Sequence, residues 1–132
     1  MNNGNYSTLD PATVRVVVLG ASPNPARISY EATRRLAHKG FDVIPVGKSK
    51  GEIEGIRIRT DQPLLEKVHT LSLYVGPDNQ PPLYDYILAL KPQRIIFNPG
   101  TENPELKLQA EEAGIETEYA CNLVLLATDQ FL

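Results

Sequence analysis

Arg27, Lys48 and Lys50 are the cations placed to meet a phosphate, because each lies in a polar loop that follows an apolar run ending in glycine. The first loop reads GASPNPAR, residues 20–27. Its Gly20, Ala21 and Ser22 are small enough for a phosphate or ribose to sit against backbone N–H groups near a helix start, and Asn24 lies in the same loop. The same residues also suit a plain strand-to-helix turn. Arg27 has the planar fork to grip a phosphate through two parallel bonds, or to bridge the loop to an acid. Cys121 follows the last strand signal and stands beside a helix start, a position that lowers a thiol pKa. A mixed disulfide with a thiol ligand is one role for it; a small buried hydrophobe is the other. His38 falls at a helix C-terminus, where an imidazolium complements the dipole. His69 precedes a strand, at the edge opposite these loops. Neither histidine is placed as a general base or phosphoryl carrier, and we assign no catalytic residue. One cysteine and two scattered histidines give no zinc spacing, so no metal site is expected.

The elements that must hold these loops alternate along the chain. VRVVVLG (14–20) is a short valine-rich run, expected as a strand buried on both faces. SYEATRRLAHKG (29–40) has helical spacing, with Ser29 as its expected N-cap and Gly40 just past its end. FDVIPVG (41–47) is the second strand, with pairing ending near Pro45. GEIEGIRIRT (51–60) is expected as a small extended excursion or ribbon, and DQPLLEKV (61–68) as one or two helical turns. TLSLYVG (70–76) is a third strand, followed by a helix over 78–91 entered through Pro81 and Pro82. RIIFNPG (94–100) is the fourth strand, and a helix over 101–115 follows, with Thr101 as candidate N-cap or ligand contact. TEYA (117–120) is a fifth strand, and 122–132 a final helix or tail that covers the last strand or makes a dimer contact. Residues 1–12 read as a loose lead-in to a single domain. Such alternation calls for an α/β fold: a three-layer, Rossmann-like, doubly wound parallel sheet of about five strands, expected in the order 3-2-1-4-5.

A sheet of that kind binds ligands outside the carboxyl ends of its strands, at the switch point beside the first strand. Those ends are GASPNPAR, PVGKSKG, YVGPDNQPP, FNPGTENPE and ACN. Glycine and proline dominate them, so backbone donors and fixed loop shapes are plentiful there. Candidate ligand contacts are Gly20, Ala21, Ser22, Asn24 and Arg27, then Val46, Gly47, Lys48 and Lys50. The third-strand loop adds Tyr74, Val75 and Gly76, with Tyr74 alternatively a core aromatic. The fourth adds Asn98, Pro99, Gly100 and Thr101. An NAD site carries an acid at the second-strand end, about 20 residues past the glycine turn, to hold the ribose hydroxyls. Here that segment reads VGKSKG, and two lysines suit a nucleotide with a ribose phosphate, CoA or NADP, better than NAD.

GASPNPARISYEATRRLAHKGFDVIPVG resembles the opening of the stand-alone CoA-binding proteins, which are similar to the N-terminal nucleotide domain of the succinyl-CoA synthetase α subunit. The resemblance covers residues 14–121. It rests on GAS, on Arg27 and Ser29, on the GF-x-V-I-P-V second strand, on IEG, and on AEEAGI followed by a cysteine. The family commonly continues its second strand with Asn-Pro, where this chain has Gly47 and Lys48. An aromatic–Leu–Gln run is also common where Phe97, Asn98, Pro99 and Gly100 stand. The resemblance implies binding of CoA or an acyl-CoA, with Tyr74, Val75 and Gly76 along its adenosine or pantetheine portion. The histidine loop and grasp domain of the ligases have no counterpart in these residues, so binding without catalysis is the expectation, as carrier, sensor or regulator. An NADP-binding reductase-like protein and an interaction module without a nucleotide are the alternatives.

Bulk composition narrows the partners. The chain has 132 residues, 42% of them hydrophobic and 22% charged, which is ordinary globular composition. A net charge of −3 gives no general attraction to nucleic acid or to an anionic membrane. No apolar run approaches the roughly 18 residues of a spanning helix, and MNNGNYSTLDPAT has no signal-peptide pattern. A cytoplasmic protein with a small nucleotide ligand is expected, with a protein partner or homodimer left open.

Overall fold

A computed structural model of the chain describes residues 8–132. Of the expected lead-in, residues 1–7 lie outside the described residues, and Pro11–Thr13 form a single 3-10 turn capped by the Asp10 carboxylate. Five parallel strands follow: β1 (Arg15–Leu19), β2 (Asp42–Val46), β5 (Val68–Leu73), β6 (Arg94–Phe97) and β7 (Glu116–Tyr119). Between β2 and β5 the chain makes the expected ribbon, β3 (Glu52–Ile53) paired antiparallel with β4 (Ile56–Arg57). Its turn uses positive φ at Glu54 and Gly55. The helices are α1 (Ile28–His38), α2 (Tyr84–Leu90), α3 (Pro104–Glu112) and α4 (Asn122–Ala127).

Burial on both faces explains the continuous apolar strands. Val16 and Val18 of β1 face α1 and α4, joining Leu36, Leu126 and Phe131 in one core. Val17 and Leu19 face the other way, into a core with Ile87 and Leu90 of α2 and Leu106 and Ala110 of α3. The chain is therefore the expected α/β, Rossmann-like, doubly wound sheet.

The sheet runs β2-β1-β5-β6-β7. Numbered as the five strands occur in the chain this is 2-1-3-4-5, so the third strand lies on the open side of β1, whereas 3-2-1-4-5 would set it beyond β2. The outer edge of β2 gives the reason. Pro45 has no N–H to offer a neighbour there. Arg59 occupies that edge instead, its N–H donating to the Pro45 carbonyl at 2.9 Å while its own carbonyl accepts from Gly47 at 3.0 Å. Either order leaves the switch point beside β1.

Three local expectations differ. Residues 61–68 form no helix: Gln62 and Lys67 have positive φ, and the Pro63 carbonyl accepts from the Tyr86 hydroxyl at 2.8 Å. The helix expected over 78–91 begins as two 3-10 turns, Pro77–Asn79 and Pro81–Leu83, because two of its first residues are prolines without N–H groups. The last helix ends at Ala127, and Phe131 folds back onto the core at 2% exposure.

Candidate functional site

The loops after β1, β2, β5 and β6 meet at the carboxyl edge of the sheet, and the loop after β1 is held between two of them. Gly20 and Ala21 both donate their N–H groups to the Val46 carbonyl, at 2.9 and 3.0 Å. Those two amides thus brace the turn against β2 and are not open donors. A Cβ at Gly47 would run into the Ala21 carbonyl, and one at Gly51 would lie 2.6 Å from Pro23 Cβ. Gly20, at φ +96°, sits with its own Cβ position 2.9 Å from the Tyr74 carbonyl carbon. Glycine at these places is a requirement of close packing between loops.

Side chains shape the rest of the first loop. Ser22 Oγ accepts from Asn24 N–H at 3.1 Å, and Asn24 Oδ1 accepts from Ala26 N–H at 3.0 Å. Arg27, not Ser29, is the N-cap of α1, and no side chain caps that end. Ser29 is buried within the first turn, where its carbonyl accepts from the Thr33 hydroxyl at 2.8 Å. Arg27, Lys48 and Lys50 are exposed, and among the described residues none of them forms an ion pair. An uncapped helix start beside an exposed guanidinium is a place where an anion finds both partial and full positive charge.

Across the switch point the wall is polar but internally bonded. Asn98 is 1% exposed and faces inward: its Nδ2 donates to Ser72 Oγ and to the Leu73 carbonyl, and its Oδ1 accepts from Asn122 N–H at 2.8 Å. Ser72 in turn donates to Asn122 Oδ1 at 2.9 Å. Asn98 thus ties β5, β6 and the start of α4 together from beneath the loop. Thr101 is buried and donates its hydroxyl to the Asn98 carbonyl at 2.8 Å; it does not cap α3. That cap is Asn103, whose Oδ1 accepts from Glu105 and Leu106 N–H. Pro99 and Gly100 are exposed at the tip, with Gly100 at φ +93°.

Tyr74 is half-buried, and burial, helped by the nearby Cys121, pushes its hydroxyl well above the usual tyrosine range. It stays a neutral phenol. Val75 and Gly76 are half-buried beside it, and Cys121 is a partly exposed free thiol at the start of α4. His69 and His38 lie away from this edge, His38 Nε2 meeting Glu54 Oε1 at 2.8 Å. A cleft of about 210 Å³, lined by Pro11, Phe41, Leu125 and Phe131, lies at the amino edge, on the far side of the sheet from these loops.

Gly20 to Arg27, Val46 to Lys50, Tyr74 to Gly76 and Asn98 to Thr101 therefore share one edge. Sequence reasoning missed Gln80, Asn103 and Asn122, all buried polar residues that set loop shape. Asn103 carried a signal: asparagine before proline before a helical run is an N-cap with proline at the first helical position. Gln80, in a proline-rich stretch, carried none.

Comparison with known proteins now bears on this edge. The family model described as CoA binding domain matches residues 14–127. The chain belongs to the CoA-binding domain family. A search of the curated proteins finds no match. Among solved structures, one titled as an uncharacterized protein is 47% identical, covers 89% of this chain and 98% of its own, and superposes with a TM-score of 0.87. The cell-free ID.343 protein from Thermus thermophilus is 25% identical over 99% of this chain and 100% of its own, at a TM-score of 0.82. A glyoxylate/hydroxypyruvate reductase from Sinorhizobium meliloti, solved with NADP and sulfate, shares the fold at 21% identity and a TM-score of 0.63, over 86% of this chain and 40% of its own. No helix among the described residues is long and apolar enough to cross a membrane.

Proposed function

We propose that this protein binds CoA, free or acylated, at the carboxyl edge of the sheet and catalyses no reaction of its own. The observation that carries the reading is the uncapped start of α1 at the switch point, with Arg27 beside it and Lys48 and Lys50 one loop over. Membership of the CoA-binding domain family supplies the ligand class. In this reading Arg27 and the α1 amides take the pyrophosphate, the lysine loop takes the ribose phosphate, and the half-buried Tyr74–Gly76 segment lies along the less polar part of the ligand. The edge offers donors, small residues and a neutral phenol. Among the described residues it brings no pair of titratable groups together as acid and base, which is why binding and not turnover is proposed. A carrier, sensor or regulator in the cytoplasm fits this chemistry.

Titration calorimetry with CoA, dephospho-CoA and NADP tests it. CoA is expected to bind most tightly, dephospho-CoA about tenfold more weakly for want of the ribose phosphate, and NADP weakest. Arg27→Ala should weaken CoA at least tenfold with little change in melting temperature, because that side chain makes no capping bond and, among the described residues, forms no ion pair. No heat with CoA at millimolar concentration would sink the proposal.

A further inference from the structure

Two loops assigned to the ligand, after β5 and after β6, extend beyond the last paired residues of their strands, Leu73 and Phe97. The backbone link that follows is weak, Asn98 N–H to the Leu73 carbonyl at 3.4 Å. Asn98 Nδ2 also donates to that carbonyl, at 3.0 Å, and further out, among the described residues, the side chain that joins the loops is that of Gln80. Gln80 is fully buried, although it sits between two short 3-10 turns in a proline-rich segment. Its Nε2 donates to the Val75 carbonyl and to the Thr101 carbonyl, both at 2.8 Å. Its Oε1 accepts from Asn103 Nδ2 at 2.8 Å.

This orientation is not interchangeable. Carbonyls only accept, so the amide nitrogen must face Val75 and Thr101. Asn103 cannot reverse either, because its Oδ1 already accepts two N–H groups as the α3 cap. The backbone of Gln80 is held as well, its carbonyl accepting from Leu83 N–H at 2.7 Å. Asn103 Nδ2 also donates to the Tyr84 hydroxyl at 2.7 Å, which donates to Glu105 at 2.9 Å, so the starts of α2 and α3 join the same chain of bonds.

We propose that Gln80 is the positioning residue of the site, one buried amide that makes the loops after β5 and β6 a single ligand-bearing wall. The consequence for the ligand rests on the CoA-binding reading; the tie between the loops does not. Removing the two donors leaves the Val75 and Thr101 carbonyls without partners, and the loops part to find water. The site is then lost as a unit while the sheet beneath it persists.

Hydrogen exchange and calorimetry on wild type, Gln80→Leu and a core control, Ile95→Val, test this together. In ligand-free Gln80→Leu, amides over 74–80 and 98–103 are expected to exchange at least about tenfold faster, in both loops together, with β1 and β6 unchanged. CoA should bind about tenfold more weakly, whereas the control should keep wild-type affinity. CoA should slow exchange in both loops of the wild type but in only one loop of the variant, a readout that a general loss of stability would not move. Wild-type exchange in both loops of Gln80→Leu, or wild-type affinity, would overturn the proposal. If wild type does not bind CoA, the functional reading falls, and the ligand-free exchange alone decides the tie: joint quickening upholds it, no change overturns it. Should Gln80→Leu not fold, Gln80→Glu, equal in size but lacking both donors, supplies the same readouts.

Discussion

Gly47 is the residue where the loops after β1 and β2 approach most closely among the glycines of the site. A Cβ there would collide with the Ala21 carbonyl, and that carbonyl is fixed because Ala21 N–H is bonded to Val46. Gly47→Ala should therefore cost roughly 1–3 kcal/mol, measurable by denaturant unfolding, and should weaken CoA because the first loop must shift. His69 sets a second expectation. Burial, with the Arg94 charge nearby, lowers its pKa from 6.5 to about 4. The folded state thus refuses a proton that the unfolded chain accepts. Stability is full above pH 6.5, falls as pH drops from there toward 4, and levels below that. A His69→Gln variant should lose this slope between pH 6.5 and 4, with the carboxylate losses at lower pH retained. If the slope persists in the variant, another group is responsible. Residues like these were only half legible in the sequence. The loop glycines could be seen, but not which carbonyl each one approaches, since that depends on loops far apart in the chain.

Helices and strands were legible wherever a period was sustained, and their ends were legible only where the cap was local. Four of the five parallel strands follow from apolar runs closed by glycine or proline, β7 (Glu116–Tyr119) having neither, and both faces of the sheet are covered. Strand order was less accessible. It depends on the outer edge of β2, where the 56–59 segment returns to bond Pro45 and Gly47, and nothing local in FDVIPVG announces that return. The caps divide in the same way. Ser29 and Thr101 are good capping residues by type, yet both are buried: the Thr101 hydroxyl donates to the Asn98 carbonyl, and Ser29 lies inside the first turn of α1 with its carbonyl accepting from the Thr33 hydroxyl. Asn103 does the capping of α3 and also serves Gln80, so its two roles can be separated. Asn103→Ala should cost about 2 kcal/mol, near the upper end for a cap, since Gln80 also loses its donor. Asn103→Asp keeps an acceptor for Glu105 and Leu106 N–H but offers Gln80 nothing. It should retain α3 and most of the stability while loosening the loops after β5 and β6, as read by exchange and by CoA affinity.

At the scale of the whole molecule the two edges of the sheet do different work. The carboxyl edge holds exposed cations, glycine turns and the bonded loops that form the candidate site. The amino edge holds the fold's closing contacts. Arg94, 3% exposed, donates to the Thr70 hydroxyl at 3.1 Å and stands 4.8 Å from the centre of the Phe131 ring. Phe131 meets Phe41 edge-on at 5.2 Å between centroids. Phe41 leads into β2, Arg94 opens β6, and Phe131 comes back beyond α4, so one aromatic ring locks two strand starts and the last segment together. Phe131→Ala should cost about 3 kcal/mol of unfolding free energy, the usual penalty for emptying a buried phenylalanine site. Because the ring lies across the sheet from Arg27, Lys48 and Gln80, affinity for CoA measured well below the melting transition should stay within about twofold of wild type. Arg27→Ala should do the reverse, leaving stability and removing affinity. If Phe131→Ala weakened CoA as much as Arg27→Ala does, the edges would be coupled through the sheet, and the division of labour drawn here would be wrong.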